Sequence, residues 1–205
     1  MAGRMSTRHL VRLALLVTLV FGAQARFLTH VPGDPALAHA VQAMAPGTAW
    51  VAPFVGTASA PFKYGLMAIA VLGAWRLAGL RAALVVIAAI ALEQTLGEAS
   101  KGLFGRPRPS RALVAVMGNP SGLSFPSTFM TLYAVTVGAL VVLAWRQRPS
   151  PLRSGIIAAG LVVLVAAACA RIVPGAHWPS DTIGTVAICL SWLAVGFSAA
   201  GVPAR

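Results

Sequence analysis

Acidic residues are almost missing from this chain: among 205 residues there are four, Asp34, Glu93, Glu98 and Asp181. Charged residues of both signs reach only 10%, while 58% of the chain is hydrophobic. Soluble domains average about 25% charged and 45–50% apolar, so an ordinary water-facing surface is excluded and lipid is indicated as solvent. Cysteine is scarce too. Cys169 and Cys189 each sit inside an apolar run and read as small buried hydrophobes, which leaves no basis for a disulfide framework or a cysteine metal site. Beyond His177 and Asp181 no His, Cys or carboxylate falls at ligand-like spacing, so neither a metal nor another cofactor is expected.

Arginine, by contrast, is abundant. Sixteen Lys and Arg against the four acids give a net charge of +12. In a soluble protein that excess would suggest nucleic acid, but no basic stripe interleaved with aromatics occurs. The expected partner is the bilayer, with most arginines flanking membrane spans and setting topology. No obligate protein partner is evident.

Runs nearly free of charge mark six spans, roughly 13–25, 64–80, 82–99, 127–145, 154–170 and 182–202. A spanning helix needs about 20 residues, with about 17–25 tolerated. Five qualify, and the first does so if Leu10 and Val11 join it and Arg12 snorkels to the headgroups. The expected fold class is therefore all-α: a polytopic membrane helical bundle of about six transmembrane helices, with 1–205 as a single membrane-embedded domain. A second reading of the first run remains open. Arg4, Arg8 and Arg12 precede a short apolar core ending in Ala23-Gln24-Ala25, which is also the pattern of a cleavable signal peptide.

With the N-terminus inside, nine Lys and Arg fall in inner segments and seven in outer ones. Three of the outer seven belong to the site described next, which leaves nine against four. That bias places both termini inside and the site on the outer, periplasmic side of an inner (plasma) membrane. Between His30 and Phe62 a Pro- and Gly-rich segment holds either a short interfacial helix opened by Pro35 or an irregular loop. His30 and His39, within it, read as exposed; the alternative is that either reaches over the site described next as a substitute acid.

Ionisable groups at the edge of lipid are costly and mark function. Three clusters fall at span ends on the same side: Lys101 to Pro109, Ser124 to Thr128, and Arg171 to Asp181. Lys101, Arg108 and Arg171 offer cationic donors, and the arginine fork matches phosphate oxygens. The start of the fourth span offers backbone N–H groups and a positive dipole end. His177 and Asp181 stand four apart. If Asp181 accepts a hydrogen bond from one imidazole nitrogen, the other is free to attack phosphorus. Glu98 lies three residues before Lys101, at ion-pair spacing, and Trp178 reads as an interfacial anchor.

These segments resemble the three signature motifs of the type 2 phosphatidic acid phosphatase superfamily, which includes vanadium haloperoxidases, over roughly residues 64–200. Lys101, Arg108 and Pro109 fit Lys, six residues, Arg-Pro; Arg106-Pro107 is a second Arg-Pro, two residues short. Arg171, His177 and Asp181 fit the third motif, with Ala170 in place of its Ser. The middle motif, Pro-Ser-Gly-His, keeps Pro126 and Ser127, but Thr128 replaces Gly and Phe129 replaces His. The resemblance implies that His177 is the nucleophile and Asp181 its orienter, and that Lys101, Arg108, Ser127 and Arg171 hold phosphate. It also implies that the general acid is missing at Phe129. The expected activity is hydrolysis of a membrane lipid phosphate or diphosphate, such as a polyprenyl diphosphate, through a phosphohistidine. A lipid phosphotransferase and a degenerate lipid-phosphate binder are the alternatives.

Overall fold

The computed structural model describes residues 5–45 and 47–203. Arg4 and Arg205, counted among the inner charges, lie outside them. Eight helices are present in the described residues: α1 (Thr7–Phe27), α2 (Asp34–Met44), α3 (Val51–Gly56), α4 (Phe62–Ala78), α5 (Leu80–Phe104), α6 (Thr128–Trp145), α7 (Pro151–Ile172) and α8 (Pro179–Ala199). Five of them, α1 and α5 to α8, are long and apolar enough to cross a membrane. The remaining expected span is α4, whose 17 residues sit at the short end of the tolerated length. Helix α1 begins at Thr7, with the Ser6 side chain accepting from the His9 N–H, so Leu10, Val11 and Arg12 do belong to the first span.

Helix α6 is the axis of the bundle. Two-thirds of it is buried, 67% against 17–33% for the other four long spans, and it packs on α4, α5, α7 and α8. Small residues make this possible, because lipid gives helices no reason to associate except close packing. Ala70, Ala74, Ala82 and Ala139 surround Leu143, Leu193 and Phe197 at one end of the core. Large apolar side chains point the other way: Leu16, Leu19, Leu72, Trp75, Val162 and Val165 are all more than half exposed, as a lipid-facing surface requires. Over Ala134–Gly138 the α6 ladder widens into a π turn.

The segment between the first two long helices is not wholly irregular. Pro35 sits in the first turn of α2, and α3 adds a short helix that no sequence signal announces. Gln42 of α2 donates to the carbonyls of Ala115 (2.8 Å) and Val173 (3.1 Å), which lays α2 across the loops of one membrane face.

Candidate active site

Every sequence-predicted site residue lies at a helix end on that face or within a few residues of one. Lys101 is in the last turn of α5, and Arg106 and Arg108 follow in the loop. Ser127 caps α6, its Oγ accepting from the Met130 N–H. Arg171 is in the last turn of α7. Asp181 closes the start of α8 by accepting from the Trp178 N–H at 2.9 Å, as a capping-box acid does. The loop bearing His177 folds back on the Arg171 carbonyl, which accepts from the N–H groups of Ala176 and His177. Gly175 makes that turn with φ +64, and a Cβ there would lie 2.3 Å from the Ala115 carbonyl oxygen. Only glycine permits both the left-handed turn and the contact.

His177 is buried, with 3% of its surface exposed. Its Nε2 lies 3.3 Å from an Arg108 guanidinium nitrogen and 3.4 Å from the Ser127 hydroxyl. A guanidinium can only donate, so Nε2 is the unprotonated nitrogen and the proton sits on Nδ1. That Nδ1 faces Asp181 Oδ2 at 3.8 Å, longer than a hydrogen bond. Both Asp181 oxygens are already engaged, Oδ2 by the Trp178 N–H and Oδ1 by Arg106. Catalytic hydrogen bonds are often this loose before a substrate arrives. Burial, followed by the charges of Arg171, Arg108 and Lys101, holds the imidazole well below its usual range. A neutral imidazole with Nε2 turned towards Arg108 and Ser127 follows.

The cations around it differ in what balances them. Lys101 pairs with Glu98 at 2.9 Å, at the expected spacing. Among the described residues Arg108 and Arg171 make no ion pair. Arg108 spends two further donors on the carbonyls of Ser121 and Ala176. Arg171 lies over the Phe129 ring, 5.4 Å from its centroid, with its buried Nε unpartnered. Two uncompensated guanidinium groups beside a neutral imidazole suit an incoming phosphate.

Arg106 and Asp34 escaped the sequence reading. Arg106, 2% exposed, donates to Asp181 (2.7 Å), Asp34 (3.0 Å) and Ser180 (3.0 Å). Asp34 in turn accepts from the Ser180 N–H and hydroxyl. Two places also differ from expectation. Trp178 is not an interfacial anchor but is 2% exposed, packed with Ala38, Val114 and Ile172. His30 is half-buried, its ring 5.2 Å from that of Trp178; His39 is exposed as expected.

Phe129, at the position where the resemblance implies a general acid, lies within an aromatic group, 4.9 Å from Tyr133 and 6.4 Å from Phe54 between ring centroids. On the other side of α6 a cavity of about 560 Å³ opens between α1, α5 and α8. Its lining is almost wholly apolar and runs from Gly196 to Ser100, Phe104 and Pro126, next to Lys101 and Ser127.

A family model described as the PAP2 superfamily matches residues 82–202, more than half of the chain. The fold is similar to the crystal structure described as that of the first transmembrane PAP2-type phosphatidylglycerolphosphate phosphatase from Bacillus subtilis. The two share 19% sequence identity, the likeness covers 94% of each chain, and the TM-score is 0.61. No curated protein matches the sequence.

Proposed function

We propose, from the premise that this chain belongs to the PAP2 superfamily, that it is an integral membrane phosphohydrolase acting on a lipid diphosphate through a phosphohistidine. The observation that carries this reading is the His177 imidazole, buried and neutral, with its free Nε2 within 3.4 Å of both Arg108 and Ser127. Nε2 attacks the terminal phosphorus as the bond to the bridging oxygen breaks, and the electron pair leaves with the lipid monophosphate. Arg108, Arg171, Lys101 and Ser127 hold the phosphoryl oxygens, and Asp181 offsets the positive charge that the phosphorylated ring gains. Water then releases phosphate.

The diphosphate preference follows from Phe129. A lipid alcohol leaves as an alkoxide with a pKa near that of water, about 15.7, and needs a proton from a general acid. A diphosphate expels a phosphate monoester, whose relevant pKa is about 6, and that group leaves unaided. The apolar cavity beside the phosphate-holding residues supports a long hydrocarbon tail such as a polyprenyl chain. The site faces the outer side of the plasma membrane in this reading.

Phosphate release by purified protein in detergent tests it, using paired lipid mono- and diphosphates beside His177→Ala. Diphosphate turnover that survives chelator, is inhibited by the phosphate mimic vanadate and vanishes in His177→Ala is expected. Absence of turnover on every lipid, with lipid phosphates still bound, would instead favour the degenerate binder that Phe129 also permits.

A further inference from the structure

We propose that Glu98 is the general base that activates water in the second half of the reaction, seated there by Thr128. The inference rests on the phosphohistidine reading above and addresses what the leaving-group argument omits. A diphosphate removes the need for an acid in the first step only. The second step, hydrolysis of phosphorylated His177, is the same for every substrate, and the attacking water must lose a proton. With Phe129 in place of an imidazole, another group has to take it.

Among the four carboxylates few candidates exist. Asp34 and Asp181 are buried and committed to Arg106. Glu93 lies a turn deeper, in the apolar cavity, and is bound by Gln94. Glu98 differs from all three. Its side chain is 74% exposed, and a single oxygen, Oε1, accepts from both Lys101 Nζ (2.9 Å) and the Thr128 hydroxyl (3.0 Å). Among the described residues Oε2 accepts no hydrogen bond, which leaves it for water. Thr128 directly follows Ser127, whose hydroxyl reaches His177 Nε2, so the carboxylate stands at the same edge of the site as the phosphate-holding groups.

The two departures from the middle motif thus read as one exchange. Phe129 removes an imidazole, and Thr128 adds a hydroxyl where glycine has none, and that hydroxyl holds a carboxylate. The seat for Thr128 is itself built. A Cβ at Gly97 would lie 3.3 Å from the Thr128 methyl carbon, so glycine there lets the two helices approach closely enough for the bond to Glu98. In the step proposed, the water oxygen forms a bond to phosphorus opposite Nε2 and the P–N bond breaks. The electron pair returns to the imidazole, and the water proton passes to Glu98 Oε2.

The test uses the full-length protein in detergent and farnesyl diphosphate carrying ³²P in its terminal phosphate. In Glu98→Gln, steady-state phosphate release should fall by about 10²–10⁴-fold, while the first turnover of lipid monophosphate stays within a few-fold of wild type. Label should then accumulate on the protein as an acid-labile, base-stable adduct that His177→Ala lacks. Hydroxylamine, a stronger nucleophile than water, should discharge it. Thr128→Val should show the same trapping more weakly, and it carries the test if Glu98→Gln does not fold. Steady-state release within a few-fold of wild type in both variants, or equal loss of both phases without trapped label, overturns the assignment while leaving the phosphohistidine reading intact. Wild-type protein that turns over no diphosphate fails that reading and this one with it.

Discussion

Arg106 and Asp181 form the shortest ion pair among the described residues, 2.7 Å apart and almost without solvent contact. Arg108, two residues further on, makes no ion pair there and donates to His177 instead. One Arg-Pro-Arg-Pro run therefore supplies two arginines with different work, one bracing the acid behind the imidazole and one lying in front of it.

Substitution should separate them. Breaking a buried pair leaves an uncompensated charge and costs about 3–5 kcal/mol, so Arg106→Ala should markedly lower the melting temperature in detergent. Arg108→Ala should melt close to wild type and lose activity by about 10²–10³-fold, the usual cost of one preorganised donor to a transition state. Thermal denaturation run beside phosphate release checks both. Equal melting temperatures for the two variants would contradict the division.

The pH profile should report the buried imidazole. As the proposed nucleophile His177 must be neutral, and burial with three cations holds its pKa well below the usual range. The acidic limb of kcat/KM should therefore lie well under pH 6.5, with pH 6 and pH 7 giving similar rates. Arg171 is the charge that contributes most to that depression, so Arg171→Gln should move the limb to higher pH while lowering the rate. A limb that stays in place in Arg171→Gln would mean that the titrating group is not His177.

Phe129→His restores an imidazole beside the phosphate-holding groups. Monoester hydrolysis should rise by up to about 10²–10⁴-fold, and diphosphate hydrolysis far less. Equal gains on matched lipids would show that the leaving group is not what limits the wild-type protein on monoesters.

Topology is open to direct labelling. With Cys169 and Cys189 replaced, a single cysteine at Ala112 should react with an impermeant reagent in intact cells. Reaction only after permeabilisation would reverse the orientation inferred from the loop charges.

Much of the architecture was legible because hydropathy and length decide it. Each expected span coincides with a helix, and only boundaries moved, as at α1, where capping by Ser6 extends the helix through Arg12. The segment around α3 was illegible for the opposite reason: its six residues carry no period long enough to read. Motif spacing located Lys101, Arg108, Ser127, Arg171, His177 and Asp181 on one face, since each is tied to a helix end. Spacing could not find Asp34, which is remote in sequence, nor Arg106, which the same spacing rule set aside. A signal for Asp34 did exist. In a chain with four acids, a carboxylate in an outer loop is rare enough to need a reason.

Asp34 comes from α2, upstream of residues 82–202, the part of the chain that the family model matches. The region that the family model matches is thus not self-sufficient: one counterion of its buried arginine is supplied by α2, outside it. Grafting residues 82–202 onto a different first half, or exchanging the loop that carries α2 between relatives, would import an arginine stripped of one of its two balancing charges. Compatibility between the two parts of the chain therefore hangs on one ion pair, between positions 34 and 106.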